Sequence, residues 1–84
     1  MAAENLDLLP GLFAEIVRAF ADHPDQVRAR LEHEGHSLVM EISVHSDDAG
    51  RVIGRGGRTA AAMRTLLDAG TRHERNRVHL DITT

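Results

Sequence analysis

The run Arg51-Val52-Ile53-Gly54-Arg55-Gly56-Gly57-Arg58 gathers the residue types in this chain best suited to chemistry. Three glycines fall within four residues. Glycine lets the backbone take positive φ and lets another backbone approach closely. Arg51, Arg55, Arg58 and Arg64 lie in or beside the run, and no acid stands between the first and the last. A guanidinium is a planar fork of donors that matches a phosphate. If the glycines form a turn that opens a helix, its free N–H groups and positive dipole end point at the same place. Together these features describe a clamp for an anion. A sharp bend between two helices would also account for the glycines.

Other phosphate loops fit poorly. A P-loop follows a strand, is longer and ends in Gly-Lys-Ser/Thr. The dinucleotide fingerprint also follows a strand and spaces its glycines differently. Both belong to folds that need more chain than 84 residues.

The elements that must hold this run are legible from periodicity. Leu9, Leu12, Phe13, Ile16, Val17 and Phe20 keep the spacing of a helical stripe. Pro10 suits a first turn, and Pro24 suits a position past the end. The pattern predicts a helix over about 9–22, with residues 1–8 as an N-terminal extension. Val27, Ala29 and Leu31 alternate with polar residues, Glu34-Gly35 offers a turn, and Leu38, Met40, Ile42 and Val44 alternate again. That reads as a β-hairpin with one buried face. Ser46-Asp47-Asp48 reads as a helix start, with a capping side chain and acids in the first turn. This second helix is short and meets Gly54. A third helical pattern follows through Ala60, Met63, Leu66, Leu67 and Gly70. With Gly70 on the buried stripe it is expected to run to about Glu74, with Asn76 as terminator. Val78, Leu80 and Ile82 alternate as a third strand. The order is αββααβ, an α+β fold in which helices cover one face of a three-stranded sheet.

A chain of 84 residues makes one domain with one small core. No stretch approaches the roughly 20 apolar residues of a membrane span. Met1 to Asp7 lack the basic and apolar regions of a signal peptide. There is no cysteine, which removes disulfides and thiolate chemistry and suits a reducing cytoplasm. Trp and Tyr are absent, so stacking on large aromatic side chains is nearly excluded. The net charge of −3 hides a division. Residues 1–50 hold three arginines against ten acids, a net of −7, and residues 51–84 hold seven against three, a net of +4. A basic half of this kind keeps a nucleic-acid partner open.

Val52-Ile53-Gly54-Arg55-Gly56-Gly57-Arg58 resembles the Ile-Gly-x-x-Gly heart of KH domains. The order αββααβ, with this loop between adjacent helices, is similar to the type II KH fold, whose three-stranded sheet is mixed. The length, the Asp22-His23-Pro24-Asp25 corner and the run Arg58 to Leu67 look like the small stand-alone bacterial KH proteins of the KhpA family. The resemblance covers about Leu9 to Ile82. It implies a non-catalytic, cytoplasmic protein that binds single-stranded RNA, the loop clamping about four nucleotides. Gly54 and Gly57 would be the motif glycines, with Arg55 and Gly56 as the variable pair that meets phosphates. Val52 and Ile53 would lie under the loop, one toward the groove floor and one toward the core. Arg51 and Arg58 would flank the backbone path, and Arg64 would extend the basic face. Val39 or Met40, from the second strand, would supply the opposite wall. The resemblance also implies a homodimer, pairing with a larger KH-domain partner of the Jag (KhpB) type, and no cofactor. The role it implies is post-transcriptional regulation or RNA chaperoning, linked to cell elongation, division and envelope growth. The loop holds one arginine where lysine is frequent. Ala60-Ala61-Ala62 stand where bulkier or basic residues are common, which leaves small-residue surface for pairing.

The remaining residues offer less. His33 and His36 flank Gly35 beside Glu32 and Glu34, but no third ligand is evident, so no metal site is expected. Ser37, Ser43 and Ser46 stand in no catalytic motif. Asp47-Asp48 reads as a helix start rather than an acid–base pair. His45 and His79 are read as exposed and available to a partner. Two other readings use the same fold: a protein-interaction adaptor and a ribosome-assembly factor.

Overall fold

The computed structural model describes residues 2–75 and 77–84, with side chains from Leu6 onward. Two alternating segments pair through the two-residue turn at Gly35-His36, where Gly35 takes φ +62°. They form β1 (Arg28–Glu34) and β2 (Ser37–Ser43), which are antiparallel. The last alternating segment, β3 (Val78–Thr83), pairs parallel to β2 on its other side. The sheet order is therefore β1-β2-β3, a mixed sheet with β2 in the centre. Leu38, Met40 and Ile42 of β2 face the helices and are buried. The opposite face carries Arg30, Glu32, Glu41 and Asp81 and is open.

Three helices, α1 (Ala2–Arg18), α2 (Ser46–Ile53) and α3 (Arg58–Gly70), complete the order αββααβ. This is the α+β arrangement that the sequence pattern predicts, and the one that the resemblance to the type II KH fold implies. Phe13 and Val17 of α1, Val52 of α2 and Met63 and Leu67 of α3 join the β2 residues in one core. Among the described residues no helix is long and apolar enough to cross a membrane.

Three boundaries differ from expectation. Helix α1 starts at Ala2, so residues 2–8 are helical rather than an extension. Its start is rich in helix formers, with acids near the positive end of the dipole. Leu6 adds a turn to the apolar stripe, and Pro10 lies inside the helix. The helix ends at Arg18, not near residue 22. Its last carbonyls are closed by weaker bonds from Ala19 and Phe20 at 3.2 Å. Beyond them the N–H groups of Asp22 and His23 bond the Asp48 carboxylate, which draws the chain away from the helix axis. Helix α3 stops at Gly70 rather than near Glu74. Gly70 is exposed, and the buried stripe is Ala60, Met63, Leu67 and Thr71. The Thr71 hydroxyl donates back to the Leu67 carbonyl at 2.7 Å, and the Glu74 N–H closes a separate turn onto Thr71. Asn76, the expected terminator, lies outside the described residues.

Candidate nucleic-acid interface

Helix α2 ends where Gly54 takes φ +82° and ψ 163°, a region essentially reserved for glycine. A Cβ there would come within 2.5 Å of the Thr59 hydroxyl and 2.9 Å of the Thr59 amide. Gly54 therefore makes the bend and lets α3 fold close against it. The Gly54 N–H caps α2 on the Gly50 carbonyl, and the Gly57 N–H returns to the Gly54 carbonyl. The Arg58 N–H reaches Arg55. The amides of Arg55 and Gly56 take part in none of these bonds. Gly56 has φ +65°, and a Cβ there would meet nothing within 4 Å. Its surface is thus open to an approaching backbone. Gly57 caps α3 in the left-handed region, without a side-chain cap and without an acid in the first turn. Among the described residues no first-turn acid or capping side chain offsets the positive end of α3.

The arginines differ in their partners, and Arg28 donates to the backbone carbonyls of Asp25 and Val27. Arg18 pairs with Glu15, Arg30 with Glu32 and Glu41, and Arg51 with Asp22 at 2.8 Å. Among the described residues Arg55, Arg58, Arg64, Arg72, Arg75 and Arg77 make no ion pair, and all six are exposed. The basic half of the sequence thus lies on the surface as uncompensated charge. Arg51 departs from expectation. Its guanidinium turns to Asp22 and the Phe20 carbonyl, back toward the end of α1. Val52 is fully buried and belongs to the core, whereas Ile53 is 41% exposed beside the loop.

The expected opposite wall is also displaced. Met40 is fully buried, and Val39 lies on the open face of the sheet. Both belong to the central strand. The wall opposite α3 is β3 instead. Between them lies a cleft of about 220 Å³, floored by Leu67, Val78 and Leu80 and rimmed by Arg64, Asp68, Arg77 and His79. Sequence alternation identifies β3 as a strand but does not reveal that it is the sheet edge. That depends on parallel pairing across a connection containing two helices.

Two structural residues were also hidden in the sequence. His45, not Ser46, caps α2, with its Nδ1 accepting the Asp47 N–H at 3.0 Å. Asp48 is fully buried and accepts the Asp22 and His23 N–H groups at 2.9 Å each. The Asp22 bond above all, joined by His23, holds its carboxyl below the usual carboxylate range against the opposing effect of burial. This contact ties the start of α2 to the Asp22–Asp25 corner.

His23, His45 and Asp47 bring donor atoms within 4.8 Å of one another, whereas His33 and His36 do not join such a group among the described residues. The His23 and His45 rings are stacked, with centroids 3.9 Å apart and planes 11° from parallel. Their in-plane lone pairs run side by side rather than converging, and His45 Nδ1 is already bonded. The group caps and packs; its geometry does not suit one ion.

The model of the KhpA/KhpB KH domain matches residues 12–82. The chain is 49% identical over 71 residues to the RNA-binding protein KhpA of Halalkalibacterium halodurans, covering 84% of this chain and 93% of that protein. It is 38% identical over 74 residues to the RNA-binding protein KhpA of Bacillus subtilis, covering 88% and 91%. Against the protein of that name from Leifsonia xyli subsp. xyli it is 47% identical over 62 residues, covering 74% and 80%. With the glycine loop, the αββααβ order and these matches in agreement, the chain belongs to the KhpA/KhpB KH-domain family.

Proposed function

We propose that this protein is a non-catalytic single-stranded RNA-binding module. The observation that carries the reading is the uncompensated charge of Arg55, Arg58 and Arg64 around a loop whose outermost glycine, Gly56, is open to solvent. The relatives named RNA-binding protein KhpA support it. In this reading Gly54 shapes the loop, while Arg55, Gly56 and Gly57 meet the phosphates. Arg58 and Arg64 continue the path along α3. Ile53 supplies apolar surface beside the loop, and Val52 supports it from the core. Arg51 acts indirectly by holding α2 to the corner. The free edge of β3 forms the second wall.

The test is fluorescence anisotropy with short single-stranded RNA, comparing the wild type with Gly56→Asp. Aspartate tolerates the left-handed conformation of Gly56 and meets no neighbour there, so the fold should survive. The added carboxylate repels phosphate. Loss of binding in a variant that still melts as a cooperative fold supports the reading; unchanged binding contradicts it.

Pairing belongs to the same proposal. Ala62, Leu66 and Ala69 form an exposed apolar stripe at i, i+4 and i+7 on α3, with Leu66 47% exposed. A second copy, or a larger KH-domain partner of the Jag (KhpB) type, would cover it. Two weak sites joined this way bind one RNA with greater avidity. The role would be post-transcriptional regulation or RNA chaperoning in the cytoplasm.

A further inference from the structure

We infer that the α3–β3 cleft reads a guanine base, with Asp68 as the specificity-determining residue. The inference rests on the RNA-binding reading and concerns which base the groove accepts. Its volume of about 220 Å³ lies below the roughly 300–1,000 Å³ of sites for larger small molecules. The apolar floor of Leu67, Val78 and Leu80 suits the face of one planar base. Asp68 is exposed on the rim and makes no ion pair among the described residues. It stands one turn beyond Arg64 on the same face of α3. At 1.5 Å per residue it lies about 16 Å along the helix from Gly57, within the reach of a short strand held at the loop.

A carboxylate offers only acceptors, two oxygens side by side. Among the four bases, guanine alone presents two adjacent donors on its Watson–Crick edge, N1–H and the N2 amino group. Adenine and cytosine each place an acceptor next to their amino group. Uracil has one N–H between two carbonyls. A carboxylate can therefore pair with two bonds only to guanine. A bare carboxylate would repel the RNA backbone, but Arg64 and Arg77 on the same rim offset that charge. Their guanidinium groups also suit guanine O6 and N7.

The experiment measures anisotropy of 5′-labelled heptanucleotides. All are uridine except the central base, which is guanine, adenine, cytosine, uracil or inosine. The expected result is guanine tighter than the other three standard bases by roughly tenfold. Inosine, which lacks the N2 amino group, should lose most of that advantage. Asp68→Asn should remove the preference for guanine while still binding the all-uridine strand. Asp68 is exposed, so a matching melting curve for this variant is expected. Equal wild-type affinity for all bases overturns the guanine assignment and leaves the RNA reading standing. So does a preference for guanine that survives Asp68→Asn. Failure to bind any strand overturns the RNA reading itself, and this assignment with it.

Discussion

Asp48 and Gly54 sit at opposite ends of α2, and each does a task that no other residue type performs as well. The carboxylate of Asp48 satisfies two backbone donors at a corner that α1 has left. Because its folded pKa is lowered, its stabilising contribution is complete above the ordinary value of about 4 and is lost as pH falls through the folded value. The wild type should therefore lose melting temperature below about pH 4. Asp48→Asn should melt lower at neutral pH and change less across that acid range. Circular dichroism melts at several pH values check this, and parallel curves for the two proteins would contradict it. Asp48 was visible in the sequence only as an acid in a first turn. Its burial depends on the corner 26 residues earlier, a contact that periodicity does not encode.

At the scale of elements, the loop glycines are not equivalent. Gly54→Ala meets both a glycine-only conformation and the backbone of Thr59, and should cost about 3 kcal/mol. Gly56→Ala meets only the left-handed penalty of about 1–2 kcal/mol. Urea denaturation at constant m separates them, and equal losses would contradict the division between the bend and the open position. The elements themselves were largely legible. The hairpin, α2 and β3 follow from alternation and the glycine positions, because one-sided burial writes a period into the sequence. Helix ends were less legible. Leu12, 52% exposed, and Leu66 keep the helical spacing without joining the core, because each flanks the stripe that meets the sheet. The contacts that stopped α1 and α3 come from Asp48 and Thr71, outside each apolar pattern. The cleft beside α3 is lined by β3 rather than β2, which the sequence does not show for a similar reason. Strand order is a property of pairing, not of any one segment.

For the whole molecule, the separation of charge is the organising feature. Among the described residues acids pair with Arg18, Arg30 and Arg51, while the arginines from the loop to the start of β3 make no ion pair. A chain with a net charge of −3 can thus offer a basic face. The apolar stripe of Ala62, Leu66 and Ala69 lies on the same helix as Arg58 and Arg64, so pairing there would set two basic faces in one assembly. Leu66→Glu should shift the protein to a monomer in analytical ultracentrifugation. An unchanged sedimentation coefficient, whether the wild type is monomer or dimer, would contradict this use of the stripe.

The most direct test of the central claim is the salt dependence of RNA affinity, wild type beside the triple variant Arg55→Gln, Arg58→Gln, Arg64→Gln. Each phosphate neutralised on a single strand contributes about −0.7 to the slope of log K against log salt. Three contacts predict that the variant's slope is shallower by about 2, with the melting curve preserved because these side chains are exposed and make no ion pair among the described residues. A variant with the wild-type slope would place the RNA backbone elsewhere on the molecule and contradict the account.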